Sequence, residues 1–253
     1  MNWLGMYTLC AKEVQRFMKV AGQTVTSPVI TALLYLVVFQ QVLADRVQVF
    51  EGVSYVAFLI PGLIMMSAIQ NAFANSASSL TQSKINGNLV FILLPPLSPL
   101  EIFVAFTAAA ILRALMVATV LYAAGWIFTP LPLAAPFHAL LILLLASGCL
   151  AVMGLIAGIL ADKFEHMAAF QNYLIMPLSF LSGVFYSVQD LPPFWAQASL
   201  ANPFFYMIDG LRYGFFAQSD ASAWVGLLVV GGFFALLSTV ALGMLHRGTK
   251  LRG

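Results

Sequence analysis

Residues 176–216 read MPLSFLSGVFYSVQDLPPFWAQASLANPFFYMIDGLRYGFF and combine eleven aromatic side chains with four prolines. The stretch is too polar for one membrane helix, and proline both ends helices and restricts the preceding residue. Aromatic side chains with a polar group prefer the membrane–water interface. We therefore expect a membrane helix to exit near Ser187, followed by short helices that begin at residues 191–193 and near Pro203. An aromatic loop without a task is the alternative, although irregular backbone at membrane depth persists only when protein covers it or when it lines a cavity.

The composition of the whole chain supports a membrane protein. Hydrophobic residues make up 62% of the 253 residues and charged residues only 8%, whereas soluble proteins keep about a quarter of their residues charged. Cys10 and Cys149 lie far apart in apolar surroundings, which is typical of core residues. The three histidines are scattered, and no pair has the spacing of metal ligands. We therefore expect no metal site and no disulfide.

Six apolar stretches are long enough to cross a bilayer. They are residues 25–43, 53–79, 100–128, 137–160, 167–186 and 224–245. Because no soluble stretch or repeat separates them, we expect an all-α polytopic protein with one membrane domain, residues 1–253. An even number of spans places both termini on the same side.

The distribution of charge predicts which side that is. Eight basic residues flank the spans on one side: Lys12, Arg16, Lys19, Lys84, Lys163, Arg247, Lys250 and Arg252. The opposite side carries Arg46 and Arg212 with Asp45, Glu51, Asp190, Asp209 and Asp220. Because basic residues accumulate on the cytoplasmic side, we expect both termini in the cytoplasm and the aromatic stretch outside.

The first residues form an amphipathic pattern. On a helix, one stripe contains Trp3, Tyr7, Cys10, Val14, Phe17 and Ala21, and the opposite stripe contains Lys12, Arg16, Lys19 and Gln23. Such a helix lies in the membrane interface with its basic face toward water. A short soluble helix that packs against a partner domain is the alternative.

Polar residues inside the spans need partners. The second span ends in a polar stripe that includes Gln70, Asn71 and Asn75, and such groups either bond to another helix or line a wet cavity. Arg113 lies well inside the third span and is either a functional residue or a structural one satisfied by a carboxylate or carbonyls. Asp209 and Arg212 share a helix face, and we expect them to pair and to hold an external gate rather than to bind substrate.

The sequence argues against catalysis by this chain. It contains no phosphate-binding G-x-x-x-x-G-K-[ST] motif and no Ser/His/Asp set or paired carboxylates in one membrane layer. The nine acidic residues fall at or near span ends, whereas a proton-coupled transporter would need acids at the midplane. We therefore expect no catalytic residues and no cofactor in this chain.

The segment between the second and third spans, residues 81–99, mixes polar, apolar and proline residues. Its apolar residues Ile85, Leu89 and Phe91 favour a short helix on the cytoplasmic surface that ends before the prolines. This helix either docks a partner protein, with Lys84 at the rim, or serves only as a connector anchored in lipid.

Four segments together resemble a known family. They are EVQRFMKVAGQTVTSPVITALLYLVVF, FLIPGLIMMSAIQNAFANSASSL, LSGVFYSVQDLPPFWAQASLANPFFYMIDGLRYGFF and the tail HRGTKLRG. The layout is similar to the ABC-2 type transporter permeases, and among them to the YadH-like export permeases. The segment SKINGNLVFILLPPLSPLEI departs from the more charged form of that group.

The resemblance implies a homodimer of six-span subunits in a bacterial inner membrane. It also implies two copies of a separate ATPase subunit, which bind ATP and Mg, a cytoplasmic coupling helix after the second span, and short external re-entrant helices between the fifth and sixth spans. The expected activity is outward movement of a lipid-like, glycan-linked or drug-like amphiphile; membrane lipids are partners and nucleic acid is not. A non-transport scaffold or channel-like component is the alternative.

Two sets of residues follow as site predictions. We expect the substrate path between two copies of the first, second and fifth spans, lined by Tyr35, Phe39, Asn71, Asn75, Asn172, Phe180 and Tyr186, although packing is the alternative for each. We expect coupling to the ATPase through Lys84, Ile85, Leu89 and Phe91, with Lys12, Arg16 and Lys19 of the first helix helping to hold the partner.

Overall fold

The computed structural model describes residues 2–43 and 52–250, and these ranges contain helices and no β-strand. The α-helices are α1 (Trp3–Met18), α2 (Ala21–Leu43), α3 (Tyr55–Ile85), α4 (Leu89–Leu93), α5 (Pro99–Gly125), α6 (Pro136–Leu160), α7 (Phe164–Phe170), α8 (Met176–Phe180), α9 (Pro193–Leu200), α10 (Pro203–Phe216) and α11 (Ala223–Arg247). A π-helix, Gln171–Ile175, joins α7 to α8, and a short 3₁₀-helix, Val188–Asp190, precedes α9. The predicted all-α class is confirmed for these residues.

Five of the described helices are long and apolar enough to cross a membrane, namely α2, α3, α5, α6 and α11. They correspond to the first four predicted spans and the sixth. Four residues used in the charge argument, Asp45, Arg46, Glu51 and Arg252, lie outside the described residues.

The fifth predicted span, residues 167–186, differs from the structure. The helix begins earlier, at Phe164, and ends at Phe180 rather than near Ser187. Its middle is a π-turn, in which the Met176 N–H donates to the carbonyl of Gln171, five residues back. The chain then turns through Gly183, whose φ of +74° is a conformation that favours glycine. The helical run Phe164–Phe180 is therefore shorter than the predicted span.

Helix α3 forms the centre of the bundle, buried between α5 and α6 along most of its length. Its close approach to α6 depends on two glycines of α6. A Cβ atom at Gly154 would lie 2.3 Å from the carbonyl oxygen of Phe73, and one at Gly158 would lie 2.9 Å from Cβ of Leu80. The small residues of the fourth span therefore serve helix packing.

The outer helices leave broad apolar surfaces exposed. Few residues of α2 and α11 are buried, and Ile30, Leu34 and Val38 of α2 are more than half exposed. A continuous apolar surface of this kind is stable only against lipid or another protein. It is consistent with a protein that lies in a membrane.

Helix α1 is tied to the start of α5. Ser98 caps α5 by accepting the Glu101 N–H at 3.3 Å, and the Glu101 carboxylate accepts the Ser98 N–H at 2.7 Å. The same carboxylate accepts the Asn2 N–H. Glu101 is therefore buried in a capping box.

Candidate functional site

Arg212 holds the elements at one end of the bundle together. Its side chain is completely buried, with the guanidinium 3.6 Å from the centre of the Phe58 ring. Nη2 donates to the carbonyls of Gly183 at 2.7 Å and Val184 at 2.8 Å, and Nε donates to the carbonyl of Phe58 at 3.3 Å. One side chain therefore joins α10 to the start of α3 and to the turn after α8.

Asp209 uses different partners, so the predicted pair with Arg212 is not formed. Its carboxylate accepts the N–H groups of Asp220 and Ala221 at 2.8 and 2.9 Å, ahead of α11. Asp220 in turn accepts the Ser187 hydroxyl at 2.7 Å. The two neighbours on α10 point toward different elements because each finds backbone groups with good geometry. Both residues still occupy structural positions.

Four of the predicted path residues gather around Phe185. The Phe185 ring lies 5.4 Å from Tyr35, 5.1 Å from Phe39 and 5.9 Å from Phe180, measured between ring centres. The Tyr186 hydroxyl donates to the carbonyl of Phe180 at 3.1 Å. We call Tyr35, Phe39, Phe180 and Phe185 the aromatic cluster. Phe185 was not among the predicted path residues, although it belongs to the same aromatic stretch.

A cavity of about 470 Å³ lies between α2, α3, α5 and the π-helix. Tyr35 and Asn71 line it, as does Arg113, the one charged residue among the described lining residues. Arg113 is buried, and its Nε and Nη2 both donate to Oδ1 of Asn71, at 3.2 and 2.9 Å. Placing an arginine at the centre of a membrane helix costs about 2.5–3.5 kcal/mol, and a neutral amide offsets little of that charge.

Asn75 and Asn172 lie outside this cavity. Asn75 is fully buried, and its backbone oxygen and Oδ1 accept hydrogen bonds from Nη2 of Arg16 at 2.8 and 2.9 Å. Nε of Arg16 also bonds to the buried carboxylate of Glu13 at 3.1 Å. Asn172 is exposed on the π-helix. The two alternatives predicted for the polar stripe of α3 therefore both occur. Asn75 bonds to another helix, and Asn71 lines the cavity.

Helix α1 is oriented differently from the prediction, which placed its whole basic face toward water. Leu9, Glu13 and Phe17 are buried against the bundle, whereas Trp3 and Tyr7 are exposed. Arg16 therefore faces the protein rather than water, because Glu13 and Asn75 supply its partners. Lys12 and Lys19 remain at the surface.

Lys84 joins the C-terminal ends of α3 and α6. Its ammonium donates to the carbonyls of Ile159 at 2.5 Å and Ala161 at 3.0 Å, groups that the end of α6 leaves without a helical partner. Asp162 lies 3.8 Å from it and accepts a hydrogen bond from Lys250 at 2.8 Å, which lowers the pKa of Asp162. Lys84 therefore caps α6 and does not stand free at the rim of a docking surface.

The other predicted coupling residues lie on or beside one groove. Phe91 is 71% exposed and Ile85 is 47% exposed, whereas Leu89 is partly buried. A groove of about 800 Å³ runs between α1 and the α3–α5 connection, and Phe91 lines it together with Lys12 and Arg16. The predicted short helix is present as α4. Within the described residues, no group of His, Cys, Asp or Glu could hold a metal ion.

The apolar helices, the buried polar contacts and the exposed apolar faces define a helical membrane protein. The sequence model of the ABC-2 type transporter family matches residues 5–216, and the chain belongs to this family. It is 35% identical over 252 residues to the inner membrane transport permease YadH of Escherichia coli K12, covering 99% of this chain and 98% of that protein. It is also 23% identical over 248 residues to nodulation protein J of Rhizobium leguminosarum bv. viciae, covering 98% and 95%.

Proposed function

We propose that residues 1–253 form one membrane domain, the permease subunit of an ATP-driven exporter in a bacterial inner membrane. The substrate moves from the cytoplasmic side outward and is a lipid-like, glycan-linked or drug-like amphiphile. Membership of the ABC-2 family and the similarity to an inner membrane transport permease support this proposal. The aromatic cluster adds support, because aromatic faces stack on sugars and lie along acyl chains.

One observation carries the proposal: an apolar surface is exposed at the end of α3 and on α4. Ile85, Val90 and Phe91 are each about half exposed or more, beside a groove that also contains Lys12. The sequence has no phosphate-binding motif of its own, so ATP and Mg bind to a separate ATPase subunit. A homodimer of this chain carries two copies of that subunit.

A sixth crossing completes the membrane domain. The unbroken helical run from Phe164 to Phe180 extends roughly 25 Å at 1.5 Å per residue, close to the roughly 30 Å of the hydrocarbon core. With it the number of crossings is even, and both termini lie in the cytoplasm. Helices α9 and α10 then form the external re-entrant elements.

The substrate path runs between two copies of α2, α3 and the α7–α8 segment. The cavity beside Asn71 lies in the membrane, and the aromatic cluster closes it on the external side. Asn75 supports the wall of the path from behind through Arg16. Asn172 and Tyr186 complete the proposed lining.

Force from the ATPase enters at α4 and travels along α3. Because Lys84 fastens the end of α3 to the end of α6, a push on α4 displaces both helices together. Lys12 and Lys19 of α1 help to hold the ATPase. Arg16 contributes by fixing α1 to α3 rather than by direct contact.

The function is tested by purifying the chain together with any ABC-type ATPase that a neighbouring reading frame encodes. ATP-dependent transport of a labelled amphiphile in vesicles, absent when the ATPase is left out, supports the exporter. If no ATPase co-purifies and the chain moves nothing, it is a scaffold or channel-like component instead.

Replacing Phe91 with glutamate should release the ATPase or uncouple it from transport. The charge is placed on a ring that is 71% exposed, so the fold has little reason to change. Detergent pull-down and ATPase assays should show a loss of roughly tenfold or more in binding or coupling, as for a central apolar contact of an interface. Leu133→Glu is the control, because Leu133 is also exposed but lies in the loop between α5 and α6 at the other end of the bundle. Normal binding and transport in Phe91→Glu would contradict the docking role.

Cysteine labelling in intact cells should show an external α9 and a cytoplasmic C-terminal end. In a background without Cys10 and Cys149, an impermeant reagent should label Gln197→Cys directly and Thr249→Cys only after the membrane is opened. Both positions are exposed, so access depends on the side of the membrane alone. The reverse pattern would invert the topology.

A further inference from the structure

We propose that the cavity beside Arg113 binds the anionic, phosphate-type headgroup of an amphiphile. This inference rests on the proposed function in identifying that amphiphile as the transported substrate. The site is the cavity between α2, α3, α5 and the π-helix. Its central residue is Arg113.

The first observation is that Arg113 has donors to spare. A guanidinium carries five N–H donors, and the two hydrogen bonds of Arg113 within the described residues end on one oxygen, Oδ1 of Asn71. Asn71 is itself oriented by its amide nitrogen, which donates to the carbonyl of Ser67 at 3.0 Å. The remaining edge of the guanidinium is available to a ligand in the cavity.

The second observation is an independent donor in the same place. Gln70 also lines the cavity, and its buried amide nitrogen has no hydrogen-bond partner. Buried donors without a partner are rare in native structures and call for an explanation. Two unfilled donors from neighbouring helices, one of them charged, are suited to an acceptor with several oxygens.

The third observation is the absence of a competing carboxylate. Among the described lining residues none is acidic. Arg16 is balanced by Glu13 at 3.1 Å, whereas the described part of the chain gives Arg113 no ion pair. A buried arginine without a counter-charge is stabilised by an anion.

The chemistry of the site favours phosphate on an amphiphile. Arginine holds the oxygens of phosphate or carboxylate with two parallel hydrogen bonds. The apolar side chains of Leu63, Met66 and Met176 line the same cavity, and the exposed apolar face of α2 begins beside it. A volume of about 470 Å³ admits a headgroup and leaves an acyl tail against the apolar surface. An amphiphile therefore fits the site better than a free ion.

Binding to the purified full-length chain, without any ATPase, tests the inference directly. The probes are dioctanoyl phosphatidic acid, neutral dioctanoyl glycerol with the same tails, and inorganic phosphate. The wild-type chain should bind phosphatidic acid at least roughly tenfold more tightly than the other two. Arg113→Gln should weaken that binding roughly ten- to hundredfold, with Arg113→Lys in between. Arg247→Gln, which removes a positive charge at the end of α11, should bind as the wild type does.

A second variant leaves Arg113 in place. Gln70→Glu adds a carboxylate to the cavity, so it should abolish binding of phosphatidic acid while the melting temperature stays equal or rises. Wild-type binding in Arg113→Gln or in Gln70→Glu overturns the proposal. If phosphate and phosphatidic acid bind equally well, the proposal that the ligand is an amphiphile is overturned, and the ligand is a free anion. If the chain binds phosphatidic acid but no ATPase binds to the chain, the proposed anion site is supported and the proposed exporter function is not.

Discussion

Replacing Arg212 with methionine is expected to unfold the end of the molecule formed by α10, the start of α3 and the turn after α8. Methionine fills similar space but donates no hydrogen bond, so the three hydrogen bonds from Arg212 to the carbonyls of Phe58, Gly183 and Val184 are lost. A hydrogen bond to a charged group contributes about 1.5–3 kcal/mol, and losing three removes on the order of 5 kcal/mol. That is comparable with the whole stability of many proteins, about 5–15 kcal/mol. The measurement is the melting temperature and the folded yield in detergent.

The controls separate this role from charge alone. Arg247→Met removes an arginine from the last turn of α11 and should change the melting temperature little. Arg212→Lys keeps the charge but lacks the planar fork, so we expect intermediate stability. Exchanging Asp209 and Arg212 should not rescue either single variant, because the two residues bind different backbone groups. If Arg212→Met melts at the same temperature as the wild type, Arg212 does not hold α10 to α3 and to the turn after α8.

Replacing Gly154 with alanine is the second change with a large expected effect. The added methyl group would lie 2.3 Å from the backbone oxygen of Phe73, so α3 and α6 must move apart at their tightest point. Overpacking a core typically costs about 1–3 kcal/mol, and contact with rigid backbone places this change at or above the upper end. Thermal unfolding of the purified protein measures it.

Other glycines provide a graded comparison. Gly158→Ala should destabilise less, since its methyl group meets the Leu80 side chain at 2.9 Å and the nearest backbone oxygen at 3.2 Å. Gly232→Ala on α11 meets nothing within 4 Å and should be neutral or slightly stabilising, because alanine favours helix. If all three variants melt alike, the close contact of α3 with α6 does not limit stability.

Most of the helices could be predicted because their signal is local. A run of about 20 apolar residues marks a crossing whatever it packs against, and α3, α5, α6 and α11 follow such runs. The fifth span could not be delimited in this way. A π-turn interrupts it in the middle and a glycine turn follows its end, and both depend on the packing of neighbouring elements rather than on hydropathy.

The sequence indicated which residues belong to the candidate site, but not which residues they bond to. The polar residues of α3 and the lone Arg113 stood out in the sequence. Their pairing, Arg113 with Asn71 and Arg16 with Asn75, joins residues far apart in the chain. The spacing of Asp209 and Arg212 suggested an ion pair, because the positions of charges can be read from a sequence. The backbone groups that these two side chains bind in the fold cannot be read in this way.

The length of α3 has a consequence for any protein that docks on α4. Its 31 residues extend about 46 Å at 1.5 Å per residue, well beyond a hydrocarbon core of about 30 Å. The length and phase of α3 set the distance of α4 from the start of α3 and the direction in which α4 points. Inserting one residue near the C-terminal end of α3 would shift α4 by about 1.5 Å and turn it by about 100°, moving Lys84 off the end of α6. Helix length and phase therefore restrict partner choice as much as the residues of the docking surface do.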